Sequence, residues 1–196
     1  MRAFKITDMP CVILTGGQSK RMQIDQQQIN KALLPFGKFS TLLAYQFDKM
    51  SCWFAKVYVS SKKPYDLQAP YLLDSTPSYT PLAGLVPTLS VANPFVFVIP
   101  VDMPFVTFET ILKLYEHKDK ALAIYPQSVQ NFYLCSVWHK DALATLQQDS
   151  PPTMRALLAK LGALGVAVEA NTEFSNLNTY GDYLEALQHL KDTHGR

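Results

Sequence analysis

Apolar positions along the chain fall into short runs that alternate between the periods of strand and helix. Residues 11–15 (CVILT) form a β-branched run that stops at Gly16-Gly17, the pattern of a buried strand entering a tight loop. In residues 41–50 Leu42, Leu43, Phe47 and Met50 recur at helical spacing, and a second strand follows at 56–60 (KVYVS). A shorter strand is predicted at 71–74 (YLLD), then a helix over 82–92 that Pro87 should shorten or kink. Residues 95–102 (FVFVIPVD) are the most continuously apolar stretch and end in an acid. A helix over 107–117 follows, with Thr107 as its N-cap. The remainder reads as strands at 121–125 and 133–138, helices at 141–147 and 153–161, a strand at 165–170 and a closing helix from Tyr180 to about Lys191.

Such alternation, with near-continuous apolar strands, predicts an α/β fold: a parallel sheet covered by helices on both faces. Ligands of these sheets bind beyond the carboxyl ends of the strands, where loops converge. Three loops qualify here, after Thr15, after Ser60 and at Asp102.

Length and composition narrow the picture. With 196 residues, 48% of them apolar and 17% charged, one domain over 1–196 is expected. No repeat or linker divides the chain, although QIDQQQIN is locally glutamine-rich. The net charge is only +2 and no long run of Lys or Arg occurs, so a nucleic-acid partner is not expected and a small anionic ligand fits better. Cys11, Cys52 and Cys135 form no C-x-x-C pair and read as buried thiols of a reduced compartment. The four histidines are scattered without metal-clamping spacing, so zinc is not expected. Apolar runs are too short to cross a bilayer and the first ten residues lack a signal-peptide core; the expectation is a cytoplasmic protein without a membrane partner.

The candidate chemistry lies in the three loops. Gly16 and Gly17 lack side chains, so their amides can approach an anion closely; a helix starting near Ser19 would add its positive end, with charge from Lys20 and Arg21. Neither the dinucleotide nor the P-loop fingerprint is complete, and an ordinary strand-to-loop turn explains the glycine pair about equally well. Asp102 ends an apolar strand at the ligand edge, where a carboxylate and phosphate oxygens together hold Mg²⁺; a capped turn at Met103-Pro104 is the plain alternative. Thr179 and Asp182 resemble a capping box before the last helix.

Taken in order, VILTGGQSKRM, KALLPF, LDS followed by PLAGL, FVIPVDMPFV and NLNTYGDYLEAL resemble the molybdenum cofactor guanylyltransferases (MobA), within a nucleoside-triphosphate transferase superfamily of Rossmann-like fold with a mostly parallel central sheet. The likeness runs from about Cys11 to about Leu190. It implies transfer of GMP from GTP to the terminal phosphate of molybdopterin, with Mg²⁺ as cofactor and pyrophosphate released. It also implies transient contact with cofactor-synthesis or acceptor molybdoenzymes. Carried over by motif, Leu14, Thr15, Gly16 and Gly17 line the nucleotide site, Arg21 and Lys31 face the phosphates, and Asp74 contacts the nucleotide. Asp102 matches the metal ligand, with Gly84 and Asn178 on the cofactor side.

Departures from the family pattern are local. Thr15 stands where Ala is usual, Gln23 where Gly is usual after R-M, Asn30 where an Asp usually precedes the lysine, and Ser60 or Ser61 where an Asn is usual. Arg155 is the nearest basic residue to the one usual before the late helix. QIDQQQI then reads as inserted length, with Asp25 as spacer, expected to be mobile until bound phosphates draw Lys31 inward. Two other readings stay open: a cytidylyltransferase acting on the same cofactor or another small phosphate ester, and a non-catalytic nucleotide-binding regulator.

Overall fold

A computed structural model describes residues 5–16, 21–24, 27–78, 80–149, 151–169 and 172–194. Its centre is strand β1 (Cys11–Leu14), all four residues of which are buried. The next two strands, β2 (Gln23–Ile24) and β3 (Gln27–Gln28), pair with each other as a separate antiparallel ribbon. Helix α1 (Leu42–Trp53) starts at Thr41, whose hydroxyl accepts the Ala44 amide at 3.0 Å. After it come β4 (Val57–Ser61), β5 (Tyr71–Leu73), α2 (Pro81–Leu89), β6 (Phe95–Pro100) and α3 (Phe108–Tyr115). The second half adds β7 (Ala123–Gln127), β8 (Ser136–His139), α4 (Ala142–Asp149), α5 (Met154–Lys160), β9 (Leu164–Ala167) and α6 (Tyr180–His194).

Seven strands form one sheet in the order β5-β4-β1-β6-β8-β7-β9. All pairings are parallel except those of β8, which runs against both β6 and β7. The period-2 alternation of strand side chains sorts the core into two layers. Cys11 and Ile13 of β1 and Phe95, Phe97 and Ile99 of β6 pack with α1, α3 and α6. Val12 and Leu14 of β1 and Val96 and Val98 of β6 face α2, α4 and α5. The result is the three-layer α/β sandwich expected.

The path of the chain positions the site. From β1 it moves outward to β4 and β5, then returns to lay β6 on the other flank of β1. Such a reversal leaves a crevice at the carboxyl ends of the two strands. Residues 15–16, after β1, and 101–102, after β6, border it.

Several sequence readings need correction. Residues 23–24 and 27–28 form the ribbon, so no helix begun near Ser19 runs through them; Ser19, Lys20, Gly17 and Asp25 lie outside the described residues. Strand β8 begins only at Ser136, so residues 133–135 are loop. Helix α2 continues through Pro87 and ends at Leu89, three residues short of the expected limit. Cys11 and Cys135 are buried, as expected, but Cys52 is exposed on α1.

Candidate active site

A cavity of about 400 Å³ opens at the crevice, bounded by Leu14, Thr15 and Gly16 after β1 and by Val101, Asp102 and Met103 after β6. Lys31 enters from a single 3-10 turn, Lys31–Leu33. Asn30 caps that turn, its side-chain oxygen accepting the Ala32 amide at 3.1 Å, and its amide group reaches the Tyr65 hydroxyl at 3.3 Å. Asn30 thus fixes the start of the turn that carries the lysine.

Lys31 and Asp102 meet as an ion pair through Nζ and Oδ2, their side chains 16% and 13% exposed. The lysine side chain therefore points inward, onto the carboxylate at the end of β6. Asp102 Oδ1 is buried and accepts no hydrogen bond among the described residues. The main chain of Asp102 is held independently: its carbonyl accepts the Leu177 amide at 2.9 Å, and Val101 N donates to Leu14 O at 2.9 Å. A turn-capping aspartate would spend its carboxylate on the following amides; this one is aimed at Lys31 and the cavity.

Next to the cavity, and sharing Leu14, Gly16 and Pro81 with it, lies a narrower cleft of about 20 Å³ that also includes Ser60, Ser61, Lys62, Asp74 and Gly84. Thr15 does not project freely there. Its hydroxyl and amide both donate to Ser60 O, at 2.9 and 3.0 Å, which satisfies a buried polar group and ties the first two loops together. Gly84 faces Leu14 and Ser60, and a Cβ built on it would lie 3.5 Å from each.

At the far side of the cleft Asp74 is buried, with Lys62 Nζ 2.5 Å from one carboxylate oxygen and the Thr76 amide 2.9 Å from the other. Burial alone would raise its pKa, but the hydrogen bonds from Lys62 and Thr76 outweigh it and the carboxyl is held below its ordinary value. Asp74 is therefore a fixed anion at neutral pH.

Arg21 is exposed and donates to Asn178 Oδ1 at 3.0 Å; Asn178 lines the large cavity, and Arg21 does not. Asn178 is oriented in turn by Asp182, which accepts the amides of Asn178 and Thr179 at 2.9 and 2.8 Å while Thr179 Oγ1 accepts the Asp182 amide at 3.1 Å. The capping box is formed and carries a cavity residue on its shoulder.

The structure thus brings Leu14, Thr15, Gly16, Lys31, Asp102 and Asn178 to the large cavity and Ser60, Asp74 and Gly84 to the adjoining cleft. Gly17 lies outside the described residues. Arg155 is displaced by its neighbour Met154, which is the α5 residue at the cavity wall. Lys62 and the wall formed by Asn131, Phe132 and Tyr133 are further lining residues that the sequence reading passed over.

Comparison with known proteins decides the family. The MobA-like NTP transferase domain matches residues 11–166, which include both strands that flank the crevice. The chain belongs to that family. A molybdenum cofactor guanylyltransferase of Helicobacter pylori (strain P12) is 37% identical over 191 residues, 95% of each chain. Among solved structures, molybdopterin-guanine dinucleotide biosynthesis protein A from Archaeoglobus fulgidus superposes with a TM-score of 0.79 at 19% identity, covering 94% of this chain and all of that one. The 2-C-methyl-D-erythritol 4-phosphate cytidylyltransferase of Thermus thermophilus superposes with a TM-score of 0.65 at 18% identity, over 92% of this chain and 98% of its own. The MobA-like fold is therefore shared with a protein named for a different nucleotide.

Proposed function

We propose that this MobA-like protein is, over its whole length, one nucleotidyltransferase domain that transfers GMP from GTP to the molybdenum cofactor and releases pyrophosphate. The substrates are taken from the similarity to named guanylyltransferases along nearly the entire chain. The observation that carries the chemistry is Asp102: a carboxylate at the reversal of the sheet, paired to Lys31 through one oxygen and with its other oxygen buried and without a partner among the described residues.

That orphaned oxygen suits a hard cation. Among the described residues no three His, Cys, Asp or Glu side chains converge, so an ion there must complete its shell with water and substrate oxygens, as Mg²⁺ does with nucleoside triphosphates. Bound between Asp102 and the phosphates, Mg²⁺ would neutralise the triphosphate and make the α-phosphorus more electrophilic.

The chain's own residues position and neutralise. No protein nucleophile is required, because the acceptor's phosphate attacks the α-phosphorus and pyrophosphate departs in line. Gly16 lies between cavity and cleft with open space where a side chain would be, so its backbone can approach a phosphate. Lys31 turns from Asp102 to the phosphate oxygens and stabilises charge growing on the leaving group. The nucleoside sits where the large cavity meets the narrow cleft at Leu14, Gly16 and Pro81, with Ser60, Asp74 and Gly84 at its edge. The wider cavity, with Asn178 at its rim and Arg21 behind it, takes the acceptor.

Pyrophosphate release from GTP and CTP, with and without Mg²⁺ and the molybdopterin-bound acceptor, tests the reading. GTP- and acceptor-dependent release that disappears in Asp102→Ala is expected. Preferential use of CTP would reassign the nucleotide. Nucleotide binding without release from any NTP would make the chain a binding protein instead.

A further inference from the structure

The turn that carries Asp102 is held from behind by α1. Pro104 has no amide to donate, so this segment can be fixed mainly through its carbonyls. Lys49 Nζ donates to Pro104 O and Val106 O, both at 2.6 Å. Gln46 Nε2 donates to Met103 O at 3.3 Å and Tyr45 Oη to Pro104 O at 3.4 Å. Residues 45, 46 and 49 share one face of the helix, so three neighbouring side chains grip the carbonyls of Met103, Pro104 and Val106. On the other side Glu173 accepts the Thr107 amide, the Thr107 hydroxyl and the Thr110 hydroxyl at 3.0, 2.8 and 2.9 Å, anchoring the first turn of α3.

Lys49 is the unusual member of this set. Its ammonium makes no ion pair among the described residues closer than 4 Å; its partners are two neutral carbonyls and the Trp53 ring, 5.1 Å away. Withdrawing an ammonium from water is costly. What it gains here is a pair of short charge-assisted bonds, stiffer than a neutral donor could make.

We propose that Lys49 is a positioning residue whose ammonium, clamped on the carbonyls of Pro104 and Val106, fixes the backbone after Asp102 and so sets the aim of that carboxylate. The inference rests on Asp102 serving as the metal ligand. It predicts a clamp sensitive to alkali. Burial lowers the Lys49 pKa to about 8, against the opposing influence of the Glu173 carboxylate; Cys135, which burial keeps as a neutral thiol, and Tyr45 on its own helix are the other titratable groups that face it. Deprotonation turns the charge-assisted bonds into neutral ones, so turnover falls above about pH 8 while the nucleotide's own contacts are untouched.

The test compares the full-length protein with Lys49→Met and Lys49→Arg. Hydrogen exchange across residues 103–110 without nucleotide reads the clamp directly, and Mn²⁺ titration of the same protein reads the aim of Asp102. In Lys49→Met exchange should accelerate, and Mn²⁺ affinity and kcat should each fall about 10- to 100-fold with the KM for GTP within about twofold. Lys49→Arg should recover Mn²⁺ affinity and kcat to within about threefold, and should move the alkaline limb of kcat upward, because guanidinium stays charged. Wild-type exchange and Mn²⁺ affinity in Lys49→Met overturn the proposal. So does loss of Mn²⁺ affinity, nucleotide affinity and thermal stability together in both variants, which marks a purely structural role. If the wild type transfers no nucleotide, the functional reading fails, and the exchange and Mn²⁺ measurements still decide whether Lys49 positions Asp102.

Discussion

Replacing Lys31 by methionine separates two effects of the lysine that run in opposite directions. The ammonium contacts Asp102 Oδ2, with both side chains mostly shielded from solvent. A divalent cation arriving at Asp102 must displace that ammonium or share the carboxylate with it. Two unit charges in contact near a protein surface interact by about 4 kcal/mol. Rehydration of the released ammonium and residual exposure return most of this, leaving about 1–2 kcal/mol as the penalty on the metal. Lys31→Met removes the penalty, so Mn²⁺ binding without nucleotide should tighten by about 5- to 30-fold. The same change removes a cation from the triphosphate and should slow transfer by about 100-fold or more. Calorimetric titration with Mn²⁺ at pH 7, beside pyrophosphate release, reads both quantities, and Lys31→Arg, which keeps the charge, should leave Mn²⁺ affinity near that of the wild type. Unchanged or weaker Mn²⁺ binding by Lys31→Met would refute the idea that lysine and metal compete for Asp102.

Three further outcomes follow from the geometry. Gly84→Ala should leave folding stability within about 0.5 kcal/mol, since its Cβ meets Leu14 and Ser60 at ordinary contact distance; its methyl narrows the cleft, so the KM for GTP should rise with little change in kcat. Asp182→Ala removes the acceptor of two amides and should cost about 1–2 kcal/mol, measured as a lower urea midpoint. Alkaline stability is set by opposing groups. Burial raises the thiols of Cys11 and Cys135, so the unfolded chain releases two protons above about pH 9 that the native state keeps, and stability is lost as pH rises. Lys49, lowered to about 8, has the reverse sign. Between about pH 9 and 10 these three groups leave a net of about one proton, so unfolding free energy should fall by about 1 kcal/mol per pH unit there in denaturant titrations, more steeply at higher pH where the raised Tyr45, Tyr71, Tyr115 and Tyr183 add the same sign, and Cys135→Ala should flatten the slope.

Much of this architecture could be read from apolar periodicity. CVIL and FVFVIP have no polar interruptions because both faces of a central strand are covered, and the helices that cover them show their apolar stripes. The β2–β3 ribbon escaped because two-residue strands containing three glutamines carry no hydrophobic signal. The direction of β8 also escaped, since a buried strand has the same composition whichever way it runs. Among site residues, Asp102 stood out as an acid ending an apolar run, whereas Lys31 was legible only through the motif KALLPF. Lys62 did not, because its partner Asp74 becomes its neighbour only when β4 and β5 pair. Lys49 had the appearance of one more polar residue on an amphipathic helix; only the carbonyls brought against it reveal what it holds.

The ribbon between Arg21 and Lys31 closes on itself at its base, where Ile29 N donates to Met22 O at 2.9 Å and the Met22 side chain is fully buried. Its two ends therefore leave and re-enter the body of the protein side by side, like the feet of a stem-loop. A segment built that way can be lengthened, trimmed or rewritten over generations without moving the arginine before it or the lysine after it. Glutamines at its outer face can answer to whatever the protein meets outside the site, while the chemistry a few residues away stays under separate constraint.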